Sequence, residues 1–184
     1  MKKILLLDKK FKMSIGGTQV KTAIGHVADR INSDYEGKEI LFVAVLNGSF
    51  MFTSELVRKV KPLSRISFVK IASYQGETAC AVKELIGLKE DLNGKHVILL
   101  EDIVDTGFTL DHVMTQIKST WQPASIAVAS LLFKPQSYRK SIPVNYVGLE
   151  IPNEFVIGWG LDYNGYGRNL EDIYVLDNSS SYHK

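Results

Sequence analysis

A short, wholly apolar run constrains the fold of this chain more than any other feature. Residues 40–46 read ILFVAVL, with no polar position among them. A half-exposed strand would alternate, so a run that is apolar throughout is typical of a strand covered on both faces, as in a parallel sheet. A second run, HVILLE, occupies residues 96–101. The two runs predict a sheet buried between layers of helix.

Helical patterns alternate with such runs along the chain. Apolar residues recur at helical spacing over 18–35, and Gly37 marks the stop. The pattern predicts further helices over 50–60 and 109–120, and further strands over 66–72, 124–133, 144–149, 155–158 and 172–176. The alternation predicts an α/β fold with a mainly parallel central sheet flanked by helices. Ligands bind such sheets at the carboxyl ends of the strands, here after residues 46, 72, 101 and 133.

Composition excludes several classes of protein. The 184 residues fit a single domain, and a net charge of +2 gives no strong electrostatic case for nucleic acid or a membrane surface as a partner. One cysteine, Cys80, makes an intramolecular disulfide impossible, and the four histidines show no metal-ligand spacing. The apolar runs are too short for a signal peptide or a membrane span, so we expect a cytoplasmic protein.

Lysine is concentrated at the start of the chain. Five lysines fall within the first twelve residues. We expect a solvated terminus there, and a polyanion-binding arm is the alternative.

The second apolar run leads into the most informative segment of the chain. Three carboxylates, on Glu101, Asp102 and Asp105, follow it closely. Clustered carboxylates repel one another and are costly to desolvate, a cost that a cation or several hydroxyl donors would offset. The turn over 106–109 then opens a helix, which aims N–H groups and hydroxyls at an anion. This pattern predicts a ligand with sugar hydroxyls and a phosphate; a solvated acidic turn before an ordinary helix cap is the alternative.

The sequence of residues 101–109, EDIVDTGFT, resembles the phosphoribosyl pyrophosphate signature of type I phosphoribosyltransferases. From roughly residue 40 to residue 175 the chain resembles their hypoxanthine-guanine branch. The resemblance implies one domain over residues 1–184, with a small hood subdomain formed from parts of both chain ends. It also implies Mg²⁺ as cofactor, phosphoribosyl pyrophosphate and a 6-oxopurine base as substrates, and a homodimer or homotetramer.

The resemblance assigns roles within the signature. Glu101 and Asp102 would face the ribose hydroxyls, and with Asp162 they would lie near Mg²⁺. Asp105 would be the general base near purine N7, which fits the need to remove a proton as the base bonds to the anomeric carbon. The turn that would bind the 5-phosphate comprises Asp105, Thr106, Gly107, Phe108 and Thr109.

A second group of residues would bind the base. Lys134 lies at a strand end before Pro135, and the resemblance places it against purine O6. A lysine only donates hydrogen bonds, so it would favour a 6-oxo over a 6-amino group. Phe155 would stack on the purine, Val156 would bond its edge through the backbone, and Asp162 would lie near its 2-position. Without the resemblance, these patterns equally fit a surface lysine, a core phenylalanine and a turn aspartate.

The resemblance assigns pyrophosphate to the loop after the first long strand, Leu46, Asn47 and Gly48, with help from Arg168. It implies a non-proline cis peptide between Leu46 and Asn47. The family often has lysine where this chain has Asn47, so a positive charge is lost there while the backbone donors remain.

A closing segment is the last feature that the resemblance implies. Ser73 and Tyr74 would begin a lid over the site, continued by the polar stretch 75–81. Such a lid would exclude water from an oxocarbenium-like centre.

Two other functions stay open at this point. One is a sister phosphoribosyltransferase that prefers xanthine. The other is a regulator on the same fold that senses nucleotides and binds RNA, although it would need a basic face that a net charge of +2 does not favour.

Overall fold

The computed structural model describes residues 2–74 and 81–177. The helices within them are α1 (Gly17–Asp34), α2 (Phe50–Val57) and α3 (Phe108–Thr120). The strands are β1 (Lys3–Leu6), β2 (Lys9–Ile15), β3 (Ile40–Leu46), β4 (Ser64–Tyr74), β5 (Ala81–Ile86), β6 (His96–Val104), β7 (Ser125–Phe133), β8 (Tyr146–Glu150), β9 (Val156–Ile157) and β10 (Ile173–Leu176).

The larger sheet has the strand order β5-β4-β3-β6-β7-β8. The neighbours from β4 to β8 pair in parallel, while β5 pairs antiparallel with β4 at one edge. The apolar run of residues 40–46 is β3, in the middle of this sheet. The predicted α/β fold with a mainly parallel sheet is confirmed.

Helices cover the central sheet on both faces, as the continuous apolar runs predict. Phe42 and Ala44 of β3 pack in one core with α1 and α2. Leu41 and Val43 point to the opposite face and pack with α3. Burying each large apolar side chain contributes roughly 1.5–3 kcal/mol, so both layers are needed to hold this strand.

A smaller antiparallel sheet has the order β1-β2-β10-β9 and so joins strands from both ends of the described chain. Its core contains the buried residues Phe11, Ile157 and Tyr174. Residues 3–15 form a hairpin that the sequence patterns did not predict, and Lys3 and Lys10 are exposed on it, as expected for a solvated segment. The hairpin was detectable, since Phe11, Met13 and Ile15 alternate with polar residues in the way that indicates a strand.

Two element boundaries differ from the predicted ones near the expected site. Strand β6 continues to Val104, so Glu101 and Asp102 are strand residues near its carboxyl end and do not follow the strand. Strand β4 continues to Tyr74 and pairs with β5, so Ser73 and Tyr74 are strand residues, not the start of a loop. The rest of the predicted lid up to residue 80, with Cys80, lies outside the described residues.

None of the helices in the described ranges combines the length and the apolar composition needed to cross a membrane.

Candidate active site

A cavity of about 300 Å³ opens at the carboxyl ends of β3 and β6. It is lined by residues of the loop after β3, by Ile71 of β4, and by the continuous segment 101–110. The predicted signature therefore forms most of its wall, at the sheet edge where the strand pattern predicts a ligand.

Glu101 and Asp102 bring two carboxyl groups into this wall. Glu101 is 5% exposed, and its burial raises its pKa well above the ordinary value, with the adjacent charge of Asp102 adding to the effect. Burial also raises the pKa of Asp102 from 3.8 to about 6, although the N–H of Ile103 opposes the shift. Both groups are thus poorly solvated as anions, which favours a ligand that supplies hydroxyl donors or positive charge.

The turn between β6 and α3 depends on Gly107. Its φ of 84° is left-handed, and a Cβ at this position would overlap the Tyr138 ring. Gly107 is also the N-cap of α3, so the helix begins without a capping side chain. The first N–H groups of α3, beside Thr106 and Thr109, can therefore bind an anion at the mouth of the cavity.

Asp105 and Lys134 form an ion pair across the ends of β6 and β7. The distance from Lys134 Nζ to Asp105 Oδ2 is 2.7 Å. Lys134 is buried, while the Asp105 side chain is 42% exposed. The Lys134 amide donates to the carbonyl of Val104 at 3.0 Å, which fixes the lysine beside the cavity. A solvated surface lysine, the alternative from sequence, does not fit this burial.

The loop after β3 approaches the acid pair closely. The Leu46–Asn47 peptide is cis, as the resemblance implies. A Cβ at Gly48 would overlap the Asp102 carboxylate, and a Cβ at Gly160 would overlap the Gly48 carbonyl. Glycine is required at both Gly48 and Gly160 because the two backbones pass so near one another. Asn47, between Leu46 and Gly48, is exposed.

Asp162 and Arg168 form a second ion pair, in the segment between β9 and β10. Arg168 Nη2 lies 2.7 Å from Asp162 Oδ1, and Nη1 donates to the Gly160 carbonyl at 2.6 Å. The charges of Asp162 and Arg168 act on the Asp102 carboxyl in opposite directions, the first raising its pKa and the second lowering it. The predicted pyrophosphate and metal residues therefore lie near enough to influence the acid pair.

Phe155 presents an aromatic surface next to β9. The residue is 45% exposed, which does not fit the alternative of a core residue. The rings of Phe11 and Tyr163 support it at centroid distances of 6.3 Å and 6.0 Å. Val156 is buried and pairs with Val175 in the small sheet.

Within residues 2–74 and 81–177, no group of three or more His, Cys, Asp or Glu side chains could hold a metal ion. Mg²⁺ at phosphate sites uses one or two carboxylates together with phosphate oxygens and water. Glu101 and Asp102, poorly solvated and close together, fit an ion of that kind that arrives with a phosphate ligand, with Asp162 nearby.

Sequence reasoning missed several residues of this region. Lys9, Phe11 and Tyr163 contact or support the aromatic surface, and Gly160 contacts the loop after β3. The spacing of Gly158, Gly160, Gly165 and Gly167, which all have positive φ, was a detectable signal of a tightly turned loop.

Comparison with known proteins gives consistent likenesses. The family model for the phosphoribosyl transferase domain matches residues 16–164. A hypoxanthine phosphoribosyltransferase of Escherichia coli is 37% identical over 166 residues, covering 88% of this chain and 93% of that protein. A hypoxanthine-guanine phosphoribosyltransferase of Mycobacterium bovis is 34% identical over 167 residues, covering 86% and 82%. The structure of a hypoxanthine phosphoribosyltransferase from Staphylococcus aureus matches with a TM-score of 0.86 at 31% identity, covering 94% of each chain.

Proposed function

The chain belongs to the phosphoribosyl transferase domain family, and from that premise we propose that it is a purine-salvage enzyme. It transfers the 5-phosphoribosyl group of phosphoribosyl pyrophosphate to N9 of hypoxanthine, and of guanine, and releases pyrophosphate. The observation that carries this proposal is one continuous wall, residues 101–110, which joins buried carboxyl groups to a helix N-terminus. That wall complements a molecule with sugar hydroxyls at one end and a phosphate at the other.

The ribose and its phosphates would use the first part of the cavity. Glu101 and Asp102 accept hydrogen bonds from the ribose hydroxyls, which compensates for their burial. The turn over 105–109 binds the 5-phosphate through N–H groups and threonine hydroxyls. The backbone of residues 46–48 binds pyrophosphate together with Arg168, without a side-chain cation at Asn47.

The base would lie between Phe155 and the Asp105–Lys134 pair. Lys134 donates to O6 of the purine, Val156 bonds the base edge, and the exposed ring of Phe155 stacks on its face. Asp162 lies toward the 2-position. Adenine carries a donor at position 6, so it leaves the Lys134 ammonium without an acceptor, and that is the physical basis for its rejection.

The proton that the base loses would go to Asp105, the residue that contacts Lys134. As the bond from N9 to C1 of the ribose forms, the bond from C1 to the pyrophosphate oxygen breaks and its electron pair leaves with pyrophosphate. The base gives up a proton to the Asp105 carboxylate. When Lys134 turns toward O6, it leaves the Asp105 Oδ2 atom that it contacts at 2.7 Å, and that oxygen can then receive the proton.

Glu101, Asp102 and Asp162 would hold Mg²⁺ together with oxygens of the substrate phosphates. When bound, it neutralises the negative charge of the departing pyrophosphate. The small sheet would serve as the hood over the base, and Ser73 and Tyr74, at the end of strand β4, would lead into the lid.

A direct assay tests the proposal. Purified protein is incubated with phosphoribosyl pyrophosphate and hypoxanthine, guanine, xanthine or adenine, with and without Mg²⁺, and nucleotide formation is followed by absorbance. We expect turnover of hypoxanthine and guanine that requires Mg²⁺, and none with adenine. Preferential turnover of xanthine would support the sister enzyme instead. Absence of turnover with every 6-oxopurine would refute the proposal.

A further inference from the structure

The tip of the N-terminal hairpin contacts the aromatic surface at which the purine is proposed to bind. Lys9 Nζ lies 4.4 Å from the centroid of the Tyr163 ring and 6.0 Å from that of Phe155. The Tyr163 hydroxyl donates to Asp8 Oδ1 at 2.9 Å. Two successive residues of the hairpin thus hold one tyrosine from its face and from its edge.

The backbone of the hairpin is shaped for this contact. Lys9 pairs with Leu6, so Leu7 and Asp8 form the turn. Leu7 has a φ of 53°, a left-handed conformation that leucine rarely adopts. Such a conformation persists when its surroundings hold it in place, and here it brings Asp8 and Lys9 to Tyr163.

Tyr163 connects the hairpin to both halves of the proposed base site. Its ring meets the Phe155 ring edge to face, at 6.0 Å and 85°. In the chain it directly follows Asp162, and its backbone closes a turn with Tyr166 through hydrogen bonds of 2.9 Å and 3.0 Å. The ring of Phe11, also from the hairpin, lies 6.2 Å from Tyr163 and is fully buried.

We infer that Asp8 and Lys9 are positioning residues for the base, acting through Tyr163 on Phe155. This inference rests on the proposed function. Both residues precede residue 16, where the match to the family model begins. A cation over an aromatic face at this distance holds the ring without a covalent link, and its strength increases as the ammonium is desolvated. The hairpin thereby sets the affinity for the 6-oxopurine and leaves the phosphoribosyl pyrophosphate site unaltered.

The test is a comparison of Lys9→Met, Lys9→Arg and Lys10→Ala in the full chain. Lys9→Met keeps the stem and removes the charge, Lys9→Arg keeps the charge, and Lys10 is an exposed lysine on the other face of the same strand. We expect Lys9→Met to raise the KM for hypoxanthine about three- to tenfold, with kcat and the KM for phosphoribosyl pyrophosphate unchanged. Lys9→Arg restores the wild-type KM, and Lys10→Ala does not change it.

A second variant, Tyr163→Phe, removes the hydroxyl that bonds Asp8 and tests the same contact from the other side. It is expected to raise the KM for hypoxanthine in the same direction, and combining it with Asp8→Ala adds no further increase. An unchanged KM for hypoxanthine in Lys9→Met and Tyr163→Phe would overturn the inference, as would an equal rise in both substrate KM values. Inactivity of the wild-type protein toward every 6-oxopurine would instead refute the proposed function.

Discussion

At the scale of single residues, the proposed chemistry depends on the contact between Asp105 and Lys134. An ion pair with a partly exposed carboxylate contributes about 1 kcal/mol or less to stability, so its position beside the cavity is better explained by chemistry than by folding. The chain contains a matched pair for comparison. Lys59 Nζ lies 3.1 Å from Glu55 Oε1, at the end of α2, where neither residue lines the cavity or has a proposed role.

Asp105→Asn keeps the shape of the side chain and removes its ability to accept a proton. We expect kcat for hypoxanthine to fall about 10²–10⁴-fold, because that is the usual contribution of a positioned general base. The KM for phosphoribosyl pyrophosphate should change little. Steady-state kinetics of this variant beside Glu55→Gln checks the prediction, and a kcat equal to that of the control would exclude Asp105 as the base.

Lys134→Ala removes the proposed donor to O6. A hydrogen bond from a charged group is worth about 1.5–3 kcal/mol, so the KM for hypoxanthine should rise about 10- to 100-fold. The preference for hypoxanthine over adenine should fall by a similar factor. Lys59→Ala serves as the control, and an unaltered preference for hypoxanthine over adenine in Lys134→Ala would contradict the assignment.

At the scale of elements, the site depends on two loops that meet backbone to backbone. Gly48 follows β3 and Gly160 follows β9, and the carbonyl of the first lies where a side chain of the second would stand. Sequence patterns predicted β3, β7 and the start of β6, because buried parallel strands are apolar at every position. They did not predict β5 or the ends of β4 and β6, because there the pairing of neighbouring strands outweighs the polar composition of the segment.

Gly48→Ala should disrupt the junction of these loops. The added methyl group would overlap the Asp102 carboxylate, so the carboxylate must move within the cavity wall. A displacement of about 1 Å in a reacting site costs on the order of 100-fold, and we expect that loss in kcat/KM for phosphoribosyl pyrophosphate.

Gly25→Ala is the matched control, since a Cβ at Gly25 meets nothing within 4 Å in helix α1. It should leave the kinetics unchanged and raise the melting temperature slightly. Equal kcat/KM values in the two variants would show that the contact between Gly48 and Asp102 is not needed.

For the whole molecule, the acid pair links function to stability. Burial that raises the pKa of Asp102 to about 6 means that the folded protein holds a proton there more tightly than the unfolded chain. The associated stability is fully present below about pH 4 and is lost as the pH rises to about 6. Burial raises the pKa of Glu101 in the same direction. Burial of these two carboxyl groups therefore lowers the stability of the ionised, ligand-free protein, and a bound ligand that supplies hydroxyl donors or positive charge would offset that loss.

Asp102→Asn removes this titration. The free energy of unfolding of the variant minus that of the wild type should increase as the pH rises from about 4 to about 6, and it should stay constant above that. Binding of phosphoribosyl pyrophosphate should be lost. Urea unfolding at several pH values measures the difference, with Glu154→Gln, a change at an exposed carboxylate, as control. A difference that does not depend on pH would contradict the prediction.

The apolar runs predicted the central sheet, and residues 101–109 indicated the family, which the family match confirms. Of the small sheet, the sequence predicted the strands over 155–158 and 172–176 but not the hairpin that joins them, because the pairing connects residues about 160 positions apart, such as Phe11 and Leu176, and the local patterns are short. Lys2 and Lys3 of this N-terminal segment form ion pairs with Asp172 and Asp177 at 2.9 Å and 2.8 Å.

The pairing of β2 with β10 also fixes an order of events during synthesis. The strands of the central sheet are complete once residue 150 has left the ribosome, but β2, which can pair with β1 from the start, gains its second partner only when residues 173–176 follow. The nascent chain can therefore assemble the cavity wall of residues 101–110 first, while the sheet that holds the hairpin beside Phe155 is completed only after residues 173–176 have emerged. A ribosome stalled between these two points would hold a chain with a formed central sheet and an unfinished proposed base site.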